Sequence, residues 1–192
     1  MFQPPDLDQD LSAIVKSPYY IYNTVNDYDN YFKKYTEEFF NFTEYKFDYL
    51  YFKAQSIAES NLNPDAESPV GAMGLMQIMP STYKEISKKI KLSTDTFDPR
   101  YSIKAGIYYM STIWKAWKNK RTWLDHWDFC TASYNAGRGN IIRAQKLCSS
   151  KNLDTESWSS IVKTLPLVTG RHSKETITYV ERIKRIRNVL IE

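Results

Sequence analysis

The 192-residue sequence predicts a mainly α-helical fold, built as a single domain with an aromatic-rich helical extension at its N-terminus. Three observations predict it. Apolar residues recur at three- and four-residue steps along several stretches, there is little strand-like alternation, and a composition of 42% hydrophobic and 25% charged residues describes one well-filled core. No internal repeat is visible, and no run approaches the roughly eighteen apolar residues that a membrane span requires.

Residues 1–18 read as an irregular lead-in with a short helical patch around Leu11 and Val15. From Tyr19 to Phe52 fifteen of the twenty-nine aromatic residues fall within thirty-four positions free of Gly and Pro, and core packing is the expectation for them. Phe47, Leu50, Ala54 and Ile57 predict a helix over residues 43–59, ended by Asn63-Pro64. Residues 64–80 form a Gly- and Pro-punctuated loop whose Val70, Met73, Leu75, Met76, Ile78 and Met79 imply that it is pinned to the core. Thr82 and Glu85 fit a capping box for the next helix, and Asp98-Pro99 supply an N-cap and first-turn proline for another. A helix through Phe129 and Ser133 stops at Gly137, and one more resumes from Ile141. The last, over residues 173–192, carries Ile177, Val180, Ile183, Ile186 and Leu190 on one stripe, with Arg182, Lys184, Arg185 and Arg187 around the rest. The expected division is an extension over 1–44 packed across one side of a domain over 45–192.

The net charge of +4 is divided unevenly: residues 1–100 carry ten Lys and Arg against fifteen Asp and Glu, and residues 101–192 carry sixteen against seven. The cationic half suits an anionic polymer or a solvated helical surface. Cys130 and Cys148 with only two His make no ligand cluster, so neither a metal nor a cofactor is expected, and the two Cys are read as buried thiols, with one bridge in an oxidising compartment as the alternative.

Glu59 is the candidate for chemistry. It ends an apolar helix just before the punctuated loop, where the helix dipole and desolvation both favour the protonated acid. Those are the conditions a general acid needs near neutral pH, although an exposed Glu at a frayed end fits the same residues.

The segments Glu59-Ser60-Asn61-Leu62-Asn63-Pro64 and Ser68-Pro69-Val70-Gly71-Ala72-Met73-Gly74-Leu75-Met76-Gln77-Ile78-Met79-Pro80 resemble the signature of the soluble lytic transglycosylases, lysozyme-like enzymes that cleave peptidoglycan. Ser133-Tyr134-Asn135-Ala136-Gly137 is similar to their second motif, and Glu175-Thr176-Ile177-Thr178-Tyr179-Val180 to their third. The resemblance covers roughly residues 45–190. It implies a lysozyme-like fold with Glu59 as single acid/base at the bond between N-acetylmuramic acid and N-acetylglucosamine, closing a 1,6-anhydro ring without water or a protein nucleophile. It also implies that Ser68, Gln77 and Met79 line the groove, that Tyr134 and Asn135 orient Glu59 and substrate, and that Glu175 and Tyr179 face the cleft together. Two positions depart from the family pattern, Ser102 before Ile103 and Ser133 before Tyr134. The first is expected to change only a helix cap.

Two other readings stand beside this one. A goose-type lysozyme would hydrolyse the same bond with water held by further carboxylates such as Asp65 and Glu67, and a non-catalytic module would only bind the wall. Without a recognisable leader, the chain resembles a bacteriophage endolysin, held in the host cytoplasm until a separate pore opens; a virion-associated lysin or a mature bacterial enzyme is the alternative. The expected partners are peptidoglycan and, through the basic last helix, anionic outer-membrane lipid, with no nucleic acid and a monomeric state.

Overall fold

The computed structural model describes residues 17–43 and 47–191. The expected helical patch around Leu11 lies outside them. Among the described residues the fold is helical: α1 Asp29–Phe40, α2 Leu50–Ser60, α3 Pro80–Ile90, α4 Pro99–Ala116, α5 Trp123–Ala136, α6 Arg138–Ser150, α7 Trp158–Thr169 and α8 Ser173–Leu190, with short 3₁₀ turns at Tyr20–Asn23 and Gly170–His172. α2 is the central element. Seven of its consecutive residues, Phe52 to Ala58, are buried, as a helix wrapped on all sides must be. α8 packs along it, α1 crosses α4, and α5 runs between α4 and α8.

The aromatic stretch does fill the core. Phe40 of α1 lies 4.5 Å from Phe47 and 5.1 Å from Phe52 between ring centres, and Phe47 meets Trp114, Trp123 and Trp127 at 5.4 to 5.6 Å. A buried ion pair adds direction to this packing: Lys53 of α2 reaches Asp29 of α1 at 2.8 Å and donates to Val25 O at 2.7 Å. α1 therefore shares the core that α2 and α4 build.

Several element ends differ from expectation, each for a local reason. α2 begins at Leu50, whose N–H is taken by the Asp48 carboxylate, so residues 47–49 precede the helix. It stops at Ser60 because Asn61 and Leu62 both adopt left-handed backbone, before Pro64 can act. α3 starts with Pro80 in its first turn after an extended Met79, so Thr82 lies inside the helix and caps nothing. Asp98 caps α4 as expected, accepting from Arg100 N–H at 2.9 Å. α6 resumes directly after Gly137 (φ 80°), three residues before Ile141. In α8 the buried stripe is Thr176, Tyr179, Val180, Ile183, Ile186 and Val189, with Ile177 and Leu190 at its margins. Cys130 and Cys148 are buried free thiols.

The loop after α2 folds back on itself. Met73 and Ile78 exchange both backbone hydrogen bonds at 3.2 Å, and Gly74 N–H donates to Ala66 O at 2.9 Å. Leu75, Met76 and Ile78 are buried as expected, whereas Val70 and Met79 are exposed. Two glycines make the docking possible. A Cβ on Gly74, at φ +73°, would lie 2.5 Å from Thr96 O, and one on Gly106 of α4 would meet Met76 at 2.6 Å. Ser102 does more than alter a cap: its buried Oγ accepts from Met76 N–H at 3.2 Å and so ties α4 to the loop. Ser133 takes the Trp117 indole N–H at 3.1 Å and donates to Phe129 O at 2.6 Å, work that a small apolar residue could not do.

Candidate active site

Glu59 occupies the last turn of α2, and three contacts fix where that turn points. Ser56 Oγ and Ser60 Oγ both donate to Leu75 O at 3.0 Å, fastening the helix end to the loop, and Asn61 N–H closes onto Ile57 O. The Glu59 carboxyl then projects against α8, where Tyr179 O–H donates to Glu59 Oε1 at 2.5 Å. Gln55, one helical turn before Glu59, donates from Nε2 to the Tyr179 oxygen at 3.2 Å. Because that oxygen receives a hydrogen bond from Gln55, its own proton is directed at the acid.

Burial pushes the Glu59 carboxyl up from its ordinary 4.5 to about 7. The Tyr179 hydrogen bond and the Arg182 guanidinium pull the other way, Glu175 adds a smaller upward push, and desolvation prevails. Burial also holds the Tyr179 and Tyr134 phenols well above their usual range, so both remain neutral donors near pH 7. The result is an acid that exchanges its proton close to neutrality beside a donor that does not titrate there.

The carboxyl opens on a cavity of about 540 Å³ lined by Ala58, Asn135, Arg171, Lys174, Glu175, Thr178, Tyr179 and Arg182. Asn135 and Glu175 also line a neighbouring cavity of about 390 Å³ bounded by Asn140, Val168 and His172, so the two cavities adjoin in a trough at the ends of α5 and α8. Thr176 Oγ1 donates to Asn135 Oδ1 at 2.8 Å, which fixes the amide at the junction. Among the described residues no group of His, Cys, Asp and Glu side chains is arranged to hold a metal.

The structure brings Glu59, Asn135, Glu175 and Tyr179 together at this trough and gives the other expected residues different work. Tyr134 lies near Glu59 without bonding it: its hydroxyl donates to Met76 O at 2.7 Å, leaving Tyr179 as the phenol on the acid. Ser68 Oγ accepts from Ala72 N–H at 2.9 Å, and Gln77 Nε2 donates to Ala66 O and Gly74 O at 2.9 and 3.0 Å, so both brace their own loop and neither lines the Glu59 cavity. Met79 is 41% exposed at the start of α3 and remains available as an apolar surface. Asp65 and Glu67 are exposed in the loop, and Asp65 lines a different cavity with Asp27, Asp95 and Asp98.

Gln55, Arg171, Lys174 and Arg182 were not singled out as site residues by the sequence. Gln55 was within reach, since a residue four before Glu59 shares its helical face. The cations of α8 are less free than their pattern implies. Arg187 pairs with Asp48 at 3.0 Å, Lys184 with Asp128 and Glu181, and Arg182 bonds Tyr19 and Asn61, which leaves Lys174 and Arg185 exposed.

Residues 39–157 match the family described as the transglycosylase SLT domain. The membrane-bound lytic murein transglycosylase F of Shewanella sediminis is 32% identical over 179 residues, covering 85% of this chain and 35% of that protein. Its counterpart in Haemophilus influenzae is 29% identical over 187 residues, covering 89% and 35%. The chain thus spans about a third of the length of these relatives. Among solved structures, the 70-kDa soluble lytic transglycosylase of Escherichia coli superposes with a TM-score of 0.65 at 29% identity, over 86% of this chain and 24% of that one. An inactive mutant of lytic transglycosylase Slt from Pseudomonas aeruginosa gives 0.66 at 22% identity over 86% and 24%, a likeness of fold. With more than half of its residues matched by one family and its helices arranged as in those structures, the chain belongs to the transglycosylase SLT domain family.

Proposed function

We propose that this protein cleaves the β-1,4 bond between N-acetylmuramic acid and N-acetylglucosamine in peptidoglycan, forming 1,6-anhydromuramyl ends, with Glu59 as single general acid/base. The observation that carries the proposal is a buried carboxyl poised near pH 7, held by a phenol and opening on the cavity that Asn135, Glu175 and Arg182 line. The names of the relatives, lytic murein transglycosylases, support the same substrate.

In the proposed reaction protonated Glu59 gives its proton to the glycosidic oxygen as the bond to the muramyl C1 breaks, and the muramyl acetamido oxygen stabilises the cationic carbon. The Glu59 carboxylate then takes the proton of the C6 hydroxyl while that oxygen bonds to C1. The acid is regenerated and no water enters. Tyr179 serves both halves, because a neutral phenol can donate to the carboxylate and tolerate the acid. Two-carboxylate glycosidases instead require a second acid that acts as nucleophile or activates water.

The rival hydrolytic reading needs a carboxylate that holds water opposite Glu59. Among the described residues Glu175 is the other acid lining the cavity, while Asp65 and Glu67 lie elsewhere. Mass spectrometry of unreduced muropeptides decides between the readings. Transglycosylation yields anhydromuramyl ends, hydrolysis yields reducing muramic ends heavier by one water, and a module that only binds the wall yields neither.

The setting we propose is host-cell lysis, as by a bacteriophage endolysin, with the net charge of +4 favouring an anionic wall. It predicts that cytoplasmic expression is harmless until a membrane pore is opened and that lysis follows promptly. Docking of α8 on anionic lipid would rest on Lys174 and Arg185.

A further inference from the structure

Arg182 is where two distant parts of the chain meet beside Glu59. The segment ahead of α1 precedes the stretch matched to the family, and it packs its 3₁₀ turn on α8, with Asn23 Nδ2 donating to Val189 O at 3.1 Å. Immediately before that turn, the Tyr19 hydroxyl accepts from Arg182 Nε at 3.2 Å, and the guanidinium carbon lies 5.8 Å from the Tyr19 ring centre. Arg182 Nη2 donates to Asn61 Oδ1 at 3.3 Å, and Asn61 is the left-handed residue that ends α2 two positions after Glu59. Two held nitrogens fix the plane of a rigid fork, and Nη1 is left without a partner among the described residues.

We propose that Tyr19 is a positioning residue for the Glu59 site: by holding the Arg182 guanidinium in the cavity wall, it keeps a cation beside the acid. The proposal rests on the reading of Glu59 as the reacting acid. A long cationic side chain at a cavity mouth otherwise spreads over many rotamers in solvent, and its effect on a neighbouring carboxyl falls with distance and screening. The titratable and charged groups facing Glu59 are Tyr134 from α5, Arg171 from the second 3₁₀ turn, and Lys174, Glu175, Tyr179 and Arg182 from α8. Of the cations among these, Arg182 is the one held from outside the helix pair that carries the acid. Its pull lowers the proton affinity of Glu59, opposing burial. The N-terminal segment thereby acts on the chemistry through one hydrogen bond, without lining the cavity itself.

The test is a carbon-13 NMR titration of the Glu59 carboxyl in wild type, Tyr19→Phe, Arg182→Gln and the double variant, accompanied by the pH profile of wall digestion. Tyr19→Phe is expected to raise the Glu59 midpoint by about half a unit and Arg182→Gln by about one unit, since losing a nearby opposite charge favours the neutral acid. The double variant should match Arg182→Gln alone, because both changes act through one guanidinium. The alkaline limb of the activity profile should move up with the midpoint, and Tyr20→Phe, at the exposed neighbour, should leave both in place. An unchanged midpoint in Tyr19→Phe, or fully additive shifts in the double variant, overturns the proposal. If Tyr19→Phe does not fold, Arg182→Lys takes its place: it keeps the charge but cannot bridge Tyr19 and Asn61, so it should raise the midpoint, and no change would again overturn the proposal. A wild type that digests no wall polymer defeats the functional reading while leaving the titration result standing, so the two failures separate.

Discussion

Glu59 and Asp128 are both acids enclosed against α8, and in both burial drives proton affinity upward. They differ in what answers them. Glu59 receives a neutral phenol, Tyr179, and opens on the trough. Asp128 on α5 receives an ammonium, Lys184 Nζ at 3.1 Å, which is shared with Glu181 at 2.7 Å. A phenol stabilises the carboxylate without forbidding the acid, so the proton can come and go. An ammonium pulls toward the carboxylate, and although burial still lifts Asp128 to about 7, the pair becomes a clamp between α5 and α8. Proton affinity alone therefore does not identify a reacting acid; the charge of its partner separates a working carboxyl from a structural one.

The largest effect expected from breaking this contrast is on activity. Glu59→Gln should lower the rate of peptidoglycan digestion by about 10²- to 10⁴-fold, the usual contribution of a positioned general acid, whereas Asp128→Asn should stay within about twofold of wild type. Turbidity loss of purified wall reports both. Next comes Tyr179→Phe, which removes the phenol but keeps the ring. A charge-assisted hydrogen bond contributes roughly 1.5–3 kcal/mol, so a loss of about 10- to 100-fold is expected, with a raised Glu59 midpoint.

Stability should respond to pH with the same sign at the two acids, since both lie above their ordinary values when folded. The folded-state affinity of Glu59 lies above its ordinary value, so its contribution is fully present below about pH 4.5 and is lost as pH rises through about 7. At pH 8 the wild type holds an enclosed carboxylate that the variant lacks, and Glu59→Gln should be more stable by about 1–3 kcal/mol, with no difference below pH 4.5. Asp128→Asn likewise removes an enclosed carboxylate at pH 8 but also breaks the Lys184 clamp, so its gain there should be smaller than that of Glu59→Gln. Urea unfolding at both pH values checks the signs. The smallest effect concerns the loop that positions Glu59. Gly106→Ala sets a methyl against Met76, and the crowding should cost about 1–3 kcal/mol, measured as a lower Tm while the alkaline limb of activity stays put.

The same contrast shows how far the sequence could be read. Signals that act within one turn were legible: Asp98-Pro99 opens α4, Gly137 ends α5, and the α8 stripe buries Val180, Ile183 and Ile186. Glu59, Asn135, Glu175 and Tyr179 converge as the resemblance implied. Choices made by tertiary contact were not legible. Which phenol bonds Glu59 depends on where each hydroxyl finds its acceptor: Tyr134 donates to Met76 O and Tyr179 to Glu59. Gln77 and Ser68 turn inward because a loop docked on the core must satisfy its own backbone groups. α7 went unread, with Pro166 inside it, and α1 was expected only as part of a helical extension, its bounds hidden in a longer aromatic run. The cations of α8 looked free because their acids, Asp48 and Asp128, lie far away in sequence.

The pH dependence of wall digestion between pH 5 and 9, measured for wild type and Asp128→Asn together, tests the central claim most directly. Glu59 must begin protonated, so the rate should fall as pH rises through about 7, with the same midpoint in both proteins. A rate that stays level to pH 9, or a limb that moves in Asp128→Asn, would contradict the assignment of the working proton to Glu59.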